Sequence, residues 1–369
     1  MLHFKRIEKL TRLLSSNCLD AIFAGPSTDL EYLAGLRLFD DERTKGLMIS
    51  KTGKVFALTP MLYGEEMRKT VGDEAVYKIW ADHEGFQTAF AEGAREIGVT
   101  GGRIAINDGV KAVDLIEMKT ALDAEYVNGA HTLAPIRRVK DEGELENLRR
   151  AGAIADAVME DITKYVAPGR TEREIQETLA RLFAKHGCET LSFPPIVASG
   201  PNASMPHYQD NARTLRDGDF VVIDMGCRYN GYCSDITRTF CLGEPTGEMK
   251  RAYDTVLEAQ KAGEDAVRKG ASGQDVDRAG RRVITDAGYG EYFLNRLGHG
   301  VGIAVHEDPY IIEGNNVPLE PGNVFSVEPG IYIAGKFGIR IENLVAVKPD
   351  GSAEPLNKFT REMIVIRNN

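Results

Sequence analysis

Four acidic residues in the second half of the chain stand in or beside apolar runs, where a charge needs a reason: Asp224, Asp235, Glu328 and Glu342. Phe220-Val221-Val222-Ile223 leads into Asp224, Val324-Phe325 precedes Glu328, and Ile339 and Ile341 lead to Glu342. Between the two aspartates lies Asn230-Gly231, a strong hairpin signal. With those as the turn residues, Asp224 faces Thr237, and Asp235 lies two residues from Thr237 on the same face. The two carboxylates are then diagonal neighbours, roughly 7 Å apart at the backbone. Glu328 and Glu342 are equidistant from Gly335, so a hairpin centred there sets them directly opposite each other. Like charges so placed destabilise a sheet unless a cation neutralises them. Histidines are scarce: seven in 369 residues. His299 lies in Gly298-His299-Gly300-Val301-Gly302, where glycines let backbone approach closely. His306 precedes Glu307-Asp308-Pro309, and His207 follows Pro206. Two aspartates, two glutamates and one imidazole make a hard, oxygen-rich set. It suits Mn²⁺, Co²⁺, Fe²⁺ or Zn²⁺, and four carboxylates are enough for two ions. Such a pair activates a bridging water as a nucleophile for a carbonyl. The spare histidines can steady a tetrahedral oxyanion and carry protons to a leaving amine.

The elements that must position these groups repeat. Leu215-Arg216-Asp217-Gly218-Asp219-Phe220-Val221-Val222-Ile223-Asp224-Met225-Gly226 aligns with Leu319-Glu320-Pro321-Gly322-Asn323-Val324-Phe325-Ser326-Val327-Glu328-Pro329-Gly330, with leucine, both glycines and the acidic residue in register. Upstream, Gly169…Glu174-Ile175 echoes Gly270…Asp275-Val276. Residues 142–245 and 246–350 therefore read as two copies of a helix-helix-hairpin unit. In the first copy a long amphipathic helix is expected from Glu142 to Tyr165, broken by Pro168-Gly169. Thr171-x-x-Glu174 then opens a second helix as a capping box.

Residues 1–130 alternate helical and strand patterns: strands at Ala21–Ala24, Gly46–Ser50, Lys54–Thr59, Val76–Trp80, Arg103–Asn107 and Glu125–Asn128, with helices at Glu84–Ile97 and Val110–Leu122. No phosphate loop or ligand cluster occurs there, and Trp80 and His83 read as packing and surface residues. The expected organisation is an α/β amino-terminal domain over 1–135 and an α+β domain with an internal pseudo-two-fold repeat over 140–369. The composition is ordinary for a globular chain, with 43% hydrophobic and 27% charged residues. A net charge of −10 argues against nucleic acid as a partner. Five scattered cysteines, none in a C-x-x-C pair, suggest free thiols in a reducing compartment. The charged opening residues, and the prolines in Leu191–Gln209 (the longest uncharged stretch), suggest no leader and no membrane span, so a cytoplasmic protein is expected.

Taken together, His207, Asp224…Asp235, Gly298-His299-Gly300-x-Gly302-x-x-x-His306-Glu307-x-Pro309, Ser326-Val327-Glu328-Pro329-Gly330 and Arg340-Ile341-Glu342-Asn343 resemble the motifs of the pita-bread metallopeptidases. These are the Xaa-Pro dipeptidases (prolidases), aminopeptidase P and methionine aminopeptidases, with creatinase as a metal-free relative. The resemblance spans about 140–369, and the amino-terminal domain is similar to that of the prolidase, aminopeptidase P and creatinase branch. It implies that Asp224, Asp235, His299, Glu328 and Glu342 hold two divalent ions, Mn²⁺ or Co²⁺ foremost, with Zn²⁺ or Fe²⁺ as alternatives. Asp235 and Glu342 would bridge both ions, Asp224 would serve one, and His299 and Glu328 the other. Glu328 would also accept the proton of the attacking water. His306 and His207 match the intermediate-stabilising and substrate-binding histidines, and Arg340 a supporting arginine beside the last glutamate. The implied activity is hydrolysis of the bond between an amino-terminal residue and proline, in a homodimer.

One position departs from that pattern. Prolidases commonly have an arginine four residues after the second histidine, gripping a dipeptide's carboxylate; here Tyr310 stands there. Either another cation takes over, such as Arg37 or Arg43 from a neighbouring subunit, or longer peptides are accepted. A phenol is an adequate partner for a neutral amide, so Ala-Pro-Gly is expected to be cleaved at least as well as Ala-Pro. Two other readings remain at this stage: a hydrolase or lyase acting on another small substrate at the same site, and a non-catalytic binding protein on the same fold.

Overall fold

The structure, a computed structural model, describes residues 2–367. Contacts divide the chain into two units, between Arg137 and Arg138. Among the described residues no helix is long and apolar enough to cross a membrane.

The amino-terminal unit is built on a six-stranded sheet. Its strands lie in the order Ala75–Trp80, Val55–Pro60, Gly46–Ser50, Ala21–Ala24, Arg103–Ile106, Glu125–Asn128. Gly46–Ser50 runs antiparallel to both neighbours; the other pairings are parallel. Phe23, Met48, Phe56, Phe90 and Ile104 fill its core. Trp80 is buried and donates its indole N–H to the Thr44 carbonyl at 3.1 Å, whereas His83 is exposed. Two helices start later than their patterns suggest. Gln87–Glu96 follows Gly85, whose φ of 71° is left-handed and cannot belong to a helix. Ala112–Ala121 follows Lys111, which is extended.

The carboxy-terminal unit contains the two copies. Helices α1 (Glu142–Ile162) and α2 (Glu172–Lys185) precede strands β1 (Ile196–Ser199), β2 (Phe220–Met225) and β3 (Ile236–Leu242). Helices α3 (Gly247–Asp265) and α4 (Gly273–Asp286) precede β4 (Gly298–Gly300), β5 (Glu307–Ile311), β6 (Val324–Val327), β7 (Gly330–Ile333), β8 (Phe337–Arg340) and β9 (Asn343–Val347). Local chemistry sets the helix starts. Asp141 with Glu144, Thr171 with Glu174 and Ser272 with Asp275 each form a reciprocal capping box, which satisfies two otherwise orphaned N–H groups. Helix α1 ends before Tyr165, because Tyr165 and Val166 both turn their N–H back onto the Ile162 carbonyl. Single bridges, Thr171 with Thr214 and Ser272 with Pro318, recur at matching points of the copies.

The hairpin registers follow the pattern read from the sequence. Strands β2 and β3 pair Asp224 with Thr237, and the ladder continues to Tyr229 opposite Tyr232. Asn230 and Gly231 are thus the two turn residues, with φ of 46° and 84°, the left-handed values a tight hairpin needs. In the second copy, Ile331 pairs with Ile339 and Val327 with Asn343, both symmetric about Gly335. Glu328 and Glu342 occupy corresponding positions at the junction of these two ladders. The copies meet where the Glu342 N–H donates to the Thr237 carbonyl (3.1 Å) and Thr239 exchanges hydrogen bonds with the Arg340 backbone. Each copy has its own apolar core, one including Val158, Leu179 and Ile223, the other Val256, Val276 and Phe325.

Candidate metal centre

Eight of the residues singled out from the sequence line one cleft of ≈ 930 Å³ in the carboxy-terminal unit: His207, Asp224, Asp235, His299, His306, Glu328, Arg340 and Glu342. Asp224 projects from β2, Asp235 from the segment leading into β3, and His299 from β4. Glu328 and Glu342 come from the junctions beside β6 and β9. Ligand atoms of Asp235, His299 and Glu342 all lie within 4.8 Å of one another. His299 Nε2 is 3.1 Å from Glu328 Oε1 and 3.8 Å from Asp235 Oδ2. Its other nitrogen, Nδ1, lies 3.2 Å from the Gly300 carbonyl. With a cation bound, a proton on Nδ1 would donate there and leave the Nε2 lone pair for the cation.

The backbone around His299 tolerates no side chains. A Cβ on Gly298 would stand 1.9 Å from the Ser326 carbonyl oxygen, and one on Gly300 2.3 Å from that of Asp308. Glycine at both positions lets β4 press against β6 and β5. Ser326 then serves two masters: its hydroxyl accepts from the His299 N–H (3.0 Å) and donates to Glu328 Oε1 (2.9 Å).

Arg340 is the cation that partly balances this cluster. It donates to Asp224 Oδ2 (2.7 Å), to the Tyr332 hydroxyl (2.8 Å) and to Thr237 Oγ1 (3.1 Å). Thr237 in turn donates to Glu342 Oε2 at 2.6 Å. One guanidinium does not neutralise four carboxylates. Burial, then repulsion from Glu342, Asp224 and Glu328, pushes the Asp235 carboxyl well above its ordinary range. Glu342 is raised well above its ordinary value by burial and by Glu328 and Asp224. For Glu328, burial pushes upward, but the neighbouring His299 and Arg340 outweigh it and hold the carboxyl low. His306 is pushed down to about 4, by burial first and then by His299 and Arg296. Its ring centroid lies 4.2 Å from that of His299, edge to face.

The donor set fits a divalent cation. Asp224 Oδ1, Asp235 Oδ1 and Glu342 Oε1 are buried acceptors with no hydrogen-bond donor among the described residues. Three unsatisfied carboxylate oxygens, those of Asp235 and Glu342 with carboxyls raised in proton affinity, are what a cation site presents without its cation.

Tyr310 does not line the cleft. The Arg296 guanidinium carbon lies 4.6 Å from the centre of its ring, and it is Arg296 that reaches the cleft wall. Sequence reasoning missed Arg296; its place three residues before His299 is the only signal the sequence offers. The walls also carry Phe193, Pro194, Leu294 and Ile312. Arg37 and Arg43, considered above as carboxylate partners, are engaged within their own unit, by Glu31 and by Asp82 and Glu42 respectively.

Comparison with known proteins agrees with this geometry. Residues 146–349 match the model of metallopeptidase family M24, and residues 6–139 that of the creatinase/prolidase N-terminal domain. The chain is 34% identical to a Xaa-Pro dipeptidase of Lactobacillus delbrueckii subsp. lactis, over 98% of both chains. It is 38% identical to a dipeptidase of Pyrococcus horikoshii, with a TM-score of 0.92 over 98% of this chain and all of that one. A prolidase from Thermococcus sibiricus superposes with a TM-score of 0.94 at 34% identity, covering 99% of this chain and 100% of the other.

Proposed function

The chain belongs to metallopeptidase family M24, with the pita-bread fold and a creatinase/prolidase amino-terminal domain, and we propose that it is a metal-dependent exopeptidase hydrolysing the bond between an amino-terminal residue and proline. The observation that carries the reading is the largely buried cluster of four carboxylates and His299, three of whose oxygens have no donor among the described residues.

In this reading Asp224, Asp235, His299, Glu328 and Glu342 would hold two divalent ions, Mn²⁺ or Co²⁺ foremost. Bound ions supply Lewis acidity for the scissile carbonyl and bring water towards ionisation at neutral pH. Glu328 takes the proton of the attacking water; its carboxyl is held low, so it is an ionised acceptor at neutral pH. His306 opens on the cleft beside His299, where a ring N–H can donate to the developing oxyanion. His207, which also lines the cleft, would contact the peptide substrate. Arg340 positions Asp224 directly and Glu342 through Thr237. The apolar walls suit a prolyl ring. The molecule acts as a homodimer, and exposed Phe39, Met61 and Leu62 of the amino-terminal unit are available for burial against a second copy.

Assaying metal-loaded and chelator-stripped protein against Ala-Pro, Met-Pro, Ala-Pro-Gly and creatine tests the reading. Metal-dependent cleavage of the proline peptides alone supports it. Turnover of creatine without cleavage of any proline peptide refutes it.

A further inference from the structure

We propose that the buried ion pair between Lys140 and Glu307 is a positioning device for His306: it holds the loop that carries the imidazole beside the metal cluster, and thereby sets kcat. The inference rests on the peptidase reading above, in which His306 donates to the developing oxyanion.

The depth of the pair is the first observation. Lys140 Nζ lies 2.9 Å from Glu307 Oε1, and the two side chains are only 1% and 7% exposed. Taking two charges out of water is unfavourable, and their mutual attraction does little more than offset it, so such a pair is a weak source of stability. What it supplies is a fixed geometry.

The second observation is what that geometry fixes. Glu307 follows His306 directly and opens β5, where it pairs with Gly300, the residue after His299 in β4. This pairing closes the neck of the loop formed by residues 301–306. The Glu307 carboxylate turns back inside the loop, and its Oε2 accepts the Ala304 N–H at 3.4 Å. A Cβ on Gly302 would stand 2.3 Å from Glu307 Oε1, so glycine there makes room for the carboxylate. The loop is thus wrapped around one end of the ion pair. The other end is anchored independently. The Lys140 N–H donates to the Gly322 carbonyl at 2.9 Å, in the turn before β6, the strand that leads to Glu328. A Cβ on Gly322 would stand 2.6 Å from the Lys140 carbonyl oxygen, so the two backbones are in close contact. The pair therefore ties the His306 loop to the frame that presents Glu328.

Neither Lys140 nor Glu307 lines the cleft, so neither meets the substrate, and both act through His306. The His306 ring stands 4.2 Å from that of His299. A displacement of about 1 Å in such a group can cost about a hundredfold in rate. Loosening the loop should accordingly appear in kcat and spare both substrate binding and metal content.

The test uses metal-loaded wild type, Glu307→Gln, and the double variant Lys140→Met with Glu307→Gln, which leaves no buried charge behind and so guards against a failure to fold. Each is also made in a His306→Ala background. With Ala-Pro, both variants should lower kcat about tenfold, keep KM within about threefold, and retain the wild-type metal content by elemental analysis. In the His306→Ala background the same changes should cost less than about twofold, because the group they position is gone. A readout independent of turnover is the carbethoxylation of His306 by diethyl pyrocarbonate, followed by peptide mass spectrometry. It should accelerate in both variants, while exposed His83 reacts at an unchanged rate. An unchanged kcat, or the same fold-loss with and without His306, overturns the inference and leaves the peptidase reading intact. Should wild type cleave no proline peptide while His306 still reacts faster in the variants, the positioning stands and the peptidase reading falls. Unchanged His306 reactivity in that case overturns both.

Discussion

Asp235 is a poor residue for stability and a necessary one for chemistry. It is buried among three other carboxylates, and its ionised form is disfavoured by burial and by repulsion. Asp235→Asn removes one of the repelling charges. The stripped variant should therefore be more stable than stripped wild type, by about 1–3 kcal/mol, since neutral replacements of buried charge are often stabilising. The same variant should bind fewer ions, falling from two per chain towards one or none by elemental analysis. Asp161→Asn is the control: Asp161 pairs with Lys164 and His186 and does not line the cleft, so its loss should leave metal content unchanged. Undiminished metal binding in Asp235→Asn would mean the ligand set is misplaced. A second residue-scale expectation concerns Cys188. Its thiol is pulled down to about 7, first by a hydrogen bond from Cys227. It is half-buried, so iodoacetamide should modify it increasingly as pH rises, with half-maximal rate near pH 7, and Cys227→Ala should move that midpoint upward. Legibility differed sharply at this scale. Asp224, Asp235, Glu328 and Glu342 were readable because a charge inside an apolar strand pattern is conspicuous. Arg296 was not, because an arginine in a loop is ordinary until the fold turns it towards a cleft and leaves it unpaired.

At the scale of elements, the two hairpins are what bring distant carboxylates together. The left-handed turn at Asn230-Gly231 and the symmetry about Gly335 both follow from residue type and spacing, so the registers could be read before the structure. The cross-link between the copies could not, since no pattern within either hairpin reveals that Thr237 donates to Glu342. The early end of α1 and the late starts of two amino-terminal helices were also hidden, because they depend on single turn conformations. The packing of β4 yields a prediction. Gly300→Ala places a methyl carbon 2.3 Å from the Asp308 carbonyl oxygen, so β4 and β5 must separate and carry His299 with them. A loss of about 2–4 kcal/mol by denaturant unfolding is expected, together with weaker metal binding. Stability within 0.5 kcal/mol (roughly) of wild type would show that the strands can part freely.

For the whole molecule, metal and stability are one equilibrium. The raised carboxyls of Asp235 and Glu342 favour the folded state in their protonated form. Their contribution to the stripped protein is present below the unfolded value of about 4 and is lost as pH rises through the raised folded values. Bound cations displace those protons, so the melting-temperature gap between loaded and stripped protein should widen from about pH 5 to about pH 7.5. A constant or narrowing gap would contradict the coupling. Light scattering at micromolar concentration should report a dimer; a fully active monomer would refute that assembly. The central claim is that this cluster binds two ions and with them cleaves before proline. Its most direct test is to titrate Mn²⁺ into stripped protein while following Ala-Pro hydrolysis and bound metal together. The account predicts no hydrolysis in the stripped protein and activity that rises with occupancy until two ions are bound per chain. Full activity in protein verified to be metal-free, or two bound ions with no cleavage of Ala-Pro, would contradict it.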